Sequence, residues 1–581
     1  MIFINGKYPG PLLEIQQDDW VEVEVHNALP FDTTIHFHGI HQMNTPWADG
    51  TPGLSQRPIA SGASYKYRWH ADSYGSYFYH AHSRGQIDDG AYGPVIVRPK
   101  AGIPKPFNVI ASNDIELLEE AEASARPLIL TDWRHKTSES TWSDQIASGL
   151  ESAICMDSLL VNGKGAVSCW SREEIDASVD QAIMPLLKDN NLLLTNKGCV
   201  PPKFFTVTLG SSQDINTPAL PPEVFDICTP TKGSREIIET PRDKKWFSMH
   251  VISTAGIDTF AFSIDEHPMW VYAVDAHYIE PMKVDVLTVA NGDRYSVFVK
   301  LDKGNGDYGI RVTSKAATQV IDTTAILSYS SRTSRKARKN SGLQERQFTN
   351  NTTGDAPFHN DTKIVSSKPS INRIGEAIGS NITVFDQAKM ISFPPQFPQP
   401  APPANQTYLL HMHTSQNSYT WALNSTPMYQ DTMDQKLPLL WQKPDTNITS
   451  GNLTITTKNN TWVDLILIND ELLAPPHPIH KHSNKVFILG SGEGEFKWTS
   501  VKEAAAAIPQ NFNLVTPPFR DGFVVPASGQ KPTWLAVRYH VVNPGAFMLH
   551  CHIQSHLNGG MAMVILDGVD AWPETPDEYK N

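Results

Sequence analysis

Residues 550–556 of the chain read His-Cys-His-Ile-Gln-Ser-His. On a β-strand, residues two positions apart point to the same face of the sheet, so His550 and His552 share one face and Cys551 points to the other. A cysteine thiolate together with two imidazoles forms the trigonal ligand set of electron-transfer copper sites. The run therefore predicts a single strand that contacts two metal sites, one on each face.

Further histidine clusters elsewhere in the chain repeat this spacing. The clusters together contain four His-x-His pairs, and their eight imidazoles suit a cluster of three ions such as Zn, Cu, Fe or Ni. One such pair is commonly an accident of composition, whereas four pairs, one of them around a cysteine, predict metal ligands. Because the pairs lie near the two ends of the chain, the first and last parts of the fold are expected to meet. The other clusters are His36-Phe37-His38, His80-Ala81-His82 and His477-Pro478-Ile479-His480-Lys481-His482.

The segments around these clusters have the pattern of β-strands. Residues 20–25, Trp-Val-Glu-Val-Glu-Val, alternate polar and apolar side chains with period two, as a half-buried strand does. Turn-forming pairs such as Asp49-Gly50 and Pro52-Gly53 separate such runs. We predict an all-β protein with three β-sandwiches. Their predicted ranges are residues 1–125, 126–329 and 385–581, with residues 330–384 as a polar, basic linker.

The composition excludes several function classes. Lys and Arg total 48 and Asp and Glu total 61, a net charge of −13, which argues against nucleic acid as the main partner. The chain has no apolar run of about 18 residues, so we predict no membrane span. Residues 1–6 do not read as a signal peptide.

A group of Asn-x-Ser/Thr sequons nevertheless predicts a secreted or cell-wall glycoprotein, although chance in an Asn/Thr-rich stretch would give the same pattern. The sequons begin at Asn350, Asn351, Asn360, Asn381, Asn405, Asn424, Asn447, Asn452 and Asn459.

The cysteine count supports the same compartment. The chain has 5 cysteines, an odd number, so one of them has a role other than pairing. Cys551 is the candidate metal thiolate, which leaves four cysteines in one segment with three possible pairings. We favour Cys169–Cys199 together with Cys155–Cys228.

Three other segments complete a family pattern: Trp47-Ala48-Asp49-Gly50, residues 86–90 (Gln-Ile-Asp-Asp-Gly) and residues 5–11 (Asn-Gly-Lys-Tyr-Pro-Gly-Pro). With the histidine clusters, they make the chain resemble the multicopper oxidases, which include laccases, ascorbate oxidases and ferroxidases. Residues 45–47 and 77–82 make it most similar to the fungal laccases of the ascomycete conidial-pigment group. The resemblance implies three cupredoxin-like Greek-key β-sandwich domains.

The same resemblance implies four copper ions and a ligand set for each. The type 2 copper would be held by His36 and His480. The type 1 copper would be held by His477, Cys551 and His556, with Met561 as the weak axial ligand. An axial methionine implies a low to medium reduction potential. The type 3 pair would be held by His38, His80, His82, His482, His550 and His552.

The resemblance also implies the reaction. A small aromatic reductant (a phenol, aminophenol or aromatic amine) would give single electrons at the exposed edge of His556. Cys551 would pass them to the cluster where O₂ becomes water. The protein is expected to be a monomer. A metallo-oxidase (ferroxidase) acting on Fe(II) or Cu(I), an ascorbate oxidase and a copper-binding or storage protein without turnover remain as alternatives.

Three residues bear on proton transfer. Asp49 matches a family acid near the type 2 copper, and its alternative is a plain turn residue. Where the family usually has a second acid, this chain has Gln554, which cannot relay a proton as a carboxylate does. Counting back from residues 262–264 places the family's usual substrate-binding acid near Ile257, so that acid is either missing here or displaced by one residue to Asp258. We prefer the interpretation of Asp258 as a plain loop residue, with the substrate-binding role as its alternative.

Overall fold

The computed structural model of the protein describes residues 1–208, 215–241, 243–330, 367–394, 402–444 and 453–580. Strands dominate over short helices, which confirms the predicted all-β class. The sheets form three groups in chain order, here called the first, middle and third blocks. Buried apolar side chains form the cores of these sheets: one cluster spans the middle and third blocks, and another lies mainly in the first block.

The first block contains a four-stranded sheet in the order β1-β6-β5-β3 and a two-stranded sheet, β2-β4. Strand β2 alternates between exposed and half-buried residues, as its sequence predicts, while β3 is buried along its whole length. Phe37, Trp69 and Val95 lie in the core of this block. The strands are β1 (Leu13–Gln16), β2 (Trp20–His26), β3 (Ile35–His38), β4 (Ser64–His70), β5 (Gly75–Ala81) and β6 (Tyr92–Arg98).

The middle block has a six-stranded sheet in the order β13-β12-β15-β10-β7-β8 and a five-stranded sheet in the order β14-β11-β16-β17-β9. Fully buried residues such as Val251, Phe262 and Val297 fill its core. The strands are β7 (Arg126–Trp133), β8 (Ser158–Val161), β9 (Ile237–Pro241), β10 (Trp246–Ser253), β11 (Phe260–Ile264), β12 (Met269–Val274), β13 (His277–Val284), β14 (Val286–Val289), β15 (Arg294–Lys300), β16 (Asp307–Ser314) and β17 (Asp322–Ser330).

The third block has a six-stranded sheet in the order β19-β18-β21-β26-β23-β24 and a five-stranded sheet in the order β20-β28-β27-β22-β25. The apolar run at residues 463–468 forms most of the buried strand β21. The strands are β18 (Gln406–Thr414), β19 (Trp421–Leu423), β20 (Thr454–Thr456), β21 (Trp462–Asn469), β22 (His477–Lys481), β23 (Val486–Glu493), β24 (Phe519–Arg520), β25 (Gly522–Val525), β26 (Thr533–His540), β27 (Gly545–Cys551) and β28 (Ala562–Asp567).

The α-helices of the described residues are short. The helix Ser138–Ser148 starts at a Thr137 cap and ends at Gly149, whose φ of 72° lies in the left-handed region that glycine favours. Within the described ranges, no helix has the length and apolar character needed to cross a membrane. The α-helices are Asn108–Ala111, Ile115–Ala123, Ser138–Ser148, Arg172–Ala177, Met184–Asp189, Pro202–Thr208, Pro222–Phe225, Gln430–Asp434, Val501–Ala507 and Gln554–Asn558.

Most of the predicted linker and several sequons, at residues 331–366 and 445–452, lie outside the described residues. The described part of the linker packs on the middle block, where Val384 bridges to Val286. Of the described sequons, Asn381 and Asn405 are exposed. These two positions are therefore accessible to glycosylation.

The favoured disulfide pairing was wrong. The structure joins Cys155 to Cys199 and Cys169 to Cys228, with Cα–Cα distances of 5.9 Å and 5.8 Å. Gln319 explains the first pair, because its side chain accepts a hydrogen bond from the Met156 backbone N–H while its own backbone bridges to Cys199. Such a tertiary contact cannot be read from cysteine spacing.

Candidate metal centre

Pairing between neighbouring antiparallel strands sets the His-x-His pairs side by side. In the first block, the register of β3 and β5 places His36 directly opposite His80. In the third block, the register of β22 and β27 places His480 directly opposite His550. Each block therefore presents four imidazoles as one half of a site.

The two half-sites face each other, which confirms that the first and third blocks meet. The rings of His36 and His482 stack at a centroid distance of 4.0 Å, and those of His38 and His480 at 3.7 Å. All eight imidazoles are buried. Their ligand atoms form groups that lie within 4.8 Å of one another: His36 with His38 and His480, His38 with His80 and His552, and His82 with His482 and His550.

Hydrogen bonds on one ring nitrogen fix which nitrogen faces the centre. The Nδ1 atoms of His36 and His80 lie 2.6 Å and 3.0 Å from backbone carbonyl oxygens, and those of His480 and His550 lie 3.0 Å and 2.8 Å from such oxygens. Because a carbonyl only accepts, each Nδ1 carries the hydrogen and each Nε2 presents a lone pair. The Nε2 atoms of His36, His80 and His480 have no hydrogen-bond partner among the described residues. These rings are thus oriented as metal ligands.

Burial also keeps the imidazoles neutral, which is the form that binds metals. It lowers the pKa of His80 and of His550 to about 4 each. It lowers the pKa of His36 and of His480 well below the usual value, and neighbouring imidazoles add to the effect at both. A cluster of buried, neutral imidazoles with unpartnered nitrogens fits borderline-soft ions such as copper.

A second group lies on the other face of β27. The Nδ1 atoms of His477 and His556 are 3.2 Å apart, and they lie 3.8 Å and 3.6 Å from the Cys551 sulphur. Burial raises the pKa of the Cys551 thiol, so a bound cation is needed to hold it as a thiolate. Met561 is fully buried, and its carbonyl accepts a hydrogen bond from the Cys551 backbone N–H at 3.0 Å. This donor set fits an electron-transfer copper ion.

The expectation of an exposed His556 was wrong, because this residue is only 2% exposed. Trp421, at the start of β19, stacks on its ring at a centroid distance of 4.3 Å. Glu151 approaches from the middle block, with its Oε1 atom 3.2 Å from His556 Nε2. The backbone N–H of Glu151 also donates to Ser418 Oγ, so the segment 415–421 and Glu151 together cover the site.

Sequence reasoning missed Glu151. Its carboxylate also accepts a hydrogen bond from Ser555 Oγ at 2.5 Å, across a sequence separation of 404 residues. Glu151 follows the left-handed Gly149 that ends the helix Ser138–Ser148, which turns the chain toward the third block. No local motif marks this acid, so only the tertiary contact reveals it.

Asp258, the candidate substrate-binding acid, makes its contacts inside the middle block, and none with His556 among the described residues. It is fully buried in the middle block, where Oδ1 accepts from Ser314 Oγ at 3.0 Å and the backbone N–H donates to Asp132 at 2.8 Å. Burial raises the pKa of Asp258 well above its usual value, and Asp132 adds to the effect. The acid in contact with His556 is Glu151 instead.

Asp49 and Gln554 lie beside candidate ligands. The Asp49 carboxylate oxygens lie 3.0 Å and 3.1 Å from His482 Nδ1, and its backbone carbonyl accepts from His36 Nδ1 at 2.6 Å. Gln554 Nε2 donates to the His552 carbonyl at 3.4 Å. The sequence thus places an acid on one side of the histidine cluster and a neutral amide on the other.

Comparisons with known proteins agree with this donor set. Family models described as "Multicopper oxidase" match residues 1–102, 124–332 and 401–571. The chain is 39% identical over 593 residues to "Multicopper oxidase elcG" of Phaeosphaeria nodorum, covering 100% of this chain and 89% of that protein. It is 37% identical over 580 residues to "Laccase abr2" of Aspergillus fumigatus, covering 99% of this chain and 92% of that protein.

Solved structures share the fold at lower identity. A laccase from Botrytis aclada matches with a TM-score of 0.67 at 22% identity, covering 99% of this chain and 85% of that chain. Fet3p, described as a multicopper oxidase that functions in iron import, matches with a TM-score of 0.63 at 17% identity, covering 99% of this chain and 89% of that chain. Both likenesses support the cupredoxin-like β-sandwich prediction.

Proposed function

Because the chain belongs to the multicopper oxidase family, we propose that it takes single electrons from small aromatic reductants and reduces O₂ to water with four copper ions. It is an oxidoreductase of the laccase type, and copper is its cofactor. When bound, the copper ions supply the one-electron redox chemistry that links four substrate oxidations to the reduction of one O₂ to two waters.

The proposed ligands follow the two groups of side chains. His477, Cys551 and His556, with Met561 as axial ligand, would hold the type 1 ion. His36 and His480 would hold the type 2 ion. The groupings within 4.8 Å support a type 3 pair held by two triads. These triads are His38, His80 and His552, and His82, His482 and His550.

The observation that carries the proposal is the placement of Cys551 between the two ligand groups. Its sulphur faces His477 and His556, while its neighbours His550 and His552 belong to the histidine cluster. Its carbonyl also accepts a hydrogen bond from His550 Nδ1 at 2.8 Å. One residue thus connects the two groups through both covalent and hydrogen bonds, which suits electron transfer and not metal storage.

The surroundings of His556 favour an aromatic donor over a metal ion. Fe(II) prefers several oxygen or imidazole ligands with open positions. In the described part of the chain, Glu151 is the carboxylate in contact with His556, and it is 7% exposed and already bonded to Ser555. Trp421, itself buried, packs on the ring of His556, so this ligand is surrounded by an aromatic side chain and not by open oxygen ligands.

The test is a substrate panel with copper-loaded protein. We expect four copper ions per chain and O₂ uptake that is fastest with an aminophenol or a diphenol. Protein stripped of copper by a chelator is the control and should consume no O₂. Faster uptake with Fe(II) or ascorbate would overturn the substrate class. Absence of uptake with every donor would overturn the oxidase activity itself.

Changing Glu151 to glutamine should raise the type 1 reduction potential. The amide oxygen of glutamine would take the place of Glu151 Oε1, 3.2 Å from His556 Nε2, but the buried negative charge that stabilises the oxidised site is lost. We expect an upward shift of roughly 60 mV, which is tenfold in the equilibrium constant of a one-electron couple. A redox titration of the type 1 absorption measures it.

Glu139→Gln is the matched control, because the Glu139 side chain is 69% exposed and screened by solvent. The type 1 reduction potential of Glu139→Gln should equal that of the unmodified protein. An unchanged potential in Glu151→Gln would show that the buried carboxylate does not act on the type 1 site.

We also propose that the protein works outside the cell or at the cell wall, as a monomer. Two disulfides are typical of proteins that fold in an oxidising compartment, and exposed Asn381 and Asn405 can carry glycans there. Secretion assays on the full-length protein test this location.

A further inference from the structure

The middle block supplies none of the proposed copper ligands, yet its backbone reaches the histidine cluster. A Cβ atom on Gly292 would lie 2.9 Å from His38 Cε1 and 3.4 Å from His552 Cδ2. Gly292 has a φ of +84°, so both the backbone conformation and the close approach require glycine. The segment before β15 therefore forms a third wall of the cluster.

Arg294, the first residue of β15, fixes this wall to both other blocks. Its two terminal nitrogens donate to the Asp521 carboxylate in the third block at 2.5 Å and 2.7 Å. Its Nε donates to the Ser76 carbonyl in the first block at 3.2 Å, and Nη1 also donates to the Gly292 carbonyl at 3.1 Å. The arginine and Asp521 are 0% and 1% exposed. One guanidinium thus joins all three blocks.

Asp521 in turn lies directly behind two proposed copper ligands. Its backbone carbonyl accepts from His480 Nδ1 at 3.0 Å, and its Oδ1 atom lies 3.6 Å from His38 Nε2. When a histidine binds a metal through one ring nitrogen, the partner of the other nitrogen fixes the ring's orientation. The same partner decides which nitrogen is free of hydrogen and can bind the metal. Asp521 therefore orients His480, a ligand assigned to the type 2 ion, through a hydrogen bond, and it places a carboxylate beside His38, a ligand assigned to the type 3 pair.

A buried carboxylate needs a cationic partner with good geometry, because an unpaired charge in this position is strongly destabilising. The planar fork of arginine bonds both carboxylate oxygens at once, which fixes the plane of the carboxylate as a lysine cannot. Lys485 lies further away, with its Nζ 3.7 Å from Asp521 Oδ2. The orientation of Asp521 therefore depends on Arg294.

We propose that Arg294 is a positioning residue for the copper cluster, through which the middle block sets the affinity for the type 2 ion. The proposal rests on the proposed function, because it assumes that the histidine cluster binds copper. Arg294 acts through Asp521 on His480 and His38 and does not itself touch the ion. The type 1 group is independent of it, since its residues make no contact with Arg294 among the described hydrogen bonds.

The experiment compares two buried arginine–aspartate pairs. Arg294→Lys keeps the charge but removes the fork. The matched control is Arg538→Lys, because Arg538 makes a similar bidentate pair with Asp464, at 2.6 Å and 2.8 Å, between β26 and β21 of the third block. Each variant is equilibrated with a series of free copper concentrations. Copper per chain, the type 2 electron paramagnetic resonance signal, the type 1 absorption and the melting temperature are then measured.

We expect Arg294→Lys to need about 10- to 100-fold more free copper to half-fill the type 2 site, while the type 1 absorption is retained. Arg538→Lys should lower the melting temperature but fill the type 2 site like the unmodified protein. If Arg294→Lys does not fold, Asp521→Asn gives the second test, because it keeps the backbone carbonyl and the shape of the side chain. It should weaken the type 2 signal in the same way.

Unchanged type 2 filling in the folded variant would overturn the proposal. Equal losses in Arg294→Lys and Arg538→Lys would also overturn it, since they would reveal a general loss of structure. Failure of the proposed function is distinct, because the unmodified protein would then bind no copper in the cluster at any concentration.

Discussion

Replacing Cys551 with serine is expected to abolish both the blue absorption and O₂ uptake. A thiolate is the soft ligand that defines an electron-transfer copper site, and a serine hydroxyl does not replace it. The same residue links His477 and His556 on one side to His550 and His552 on the other. Its loss therefore removes both the type 1 site and the route from it. Visible absorption, a copper count and an oxygen electrode measure these effects.

The control for this variant is Met561→Leu. Met561 is fully buried beside Cys551, and leucine has a similar volume but no sulphur. A weak axial ligand tunes the potential without creating the site, so Met561→Leu should stay blue and show a higher type 1 potential. Retention of both colour and turnover in Cys551→Ser would rule out the proposed path of electrons.

Replacing Asp49 with asparagine is expected to stop most O₂ turnover while substrate still reduces the type 1 site. The Asp49 carboxylate lies 3.0 Å from His482 Nδ1 and accepts a hydrogen bond from Thr51 Oγ1 at 2.7 Å. A neutral amide holds the His482 ring less strongly, and losing such an outer partner costs about 10- to 100-fold in activity or metal affinity. Mixing the variant with substrate under anaerobic conditions measures reduction of the type 1 site, and the later addition of O₂ measures reoxidation.

Asp72→Asn is the matched control for this second variant. Asp72 makes the same kind of contact, with its Oδ2 atom 3.1 Å from His41 Nδ1, but His41 is outside the proposed ligand set. The O₂ turnover of Asp72→Asn should stay near that of the unmodified protein. If Asp49→Asn reoxidised with O₂ at the normal rate, the carboxylate would have no part in O₂ reduction.

Local periodicity explains why the histidine groups could be predicted. A His-x-His pair on a strand must present both rings to one side, whatever the rest of the fold does. The pairing of His36 with His80 and of His480 with His550 then follows from adjacent antiparallel strands. The same rule placed Cys551 between the two groups.

The remaining features depend on contacts between distant segments. Glu151 reaches His556 across more than 400 residues, and no spacing rule connects them. Asp258 was a false candidate, because counting along a strand does not reveal that its side chain turns into the core of its own block. Trp421 covers His556 only because two segments of the third block pack together. Burial of this kind is a property of the assembled fold.

The face-to-face arrangement of the two half-sites also fixes an order of events during biosynthesis. Half of the cluster's imidazoles lie at or before residue 82, but the last of them, His552, lies 470 residues further along the chain. The growing polypeptide therefore carries an unfinished set of imidazoles for most of its synthesis. Metal capture and folding are coupled, so loading of the complete cluster follows the docking of the last block onto the first.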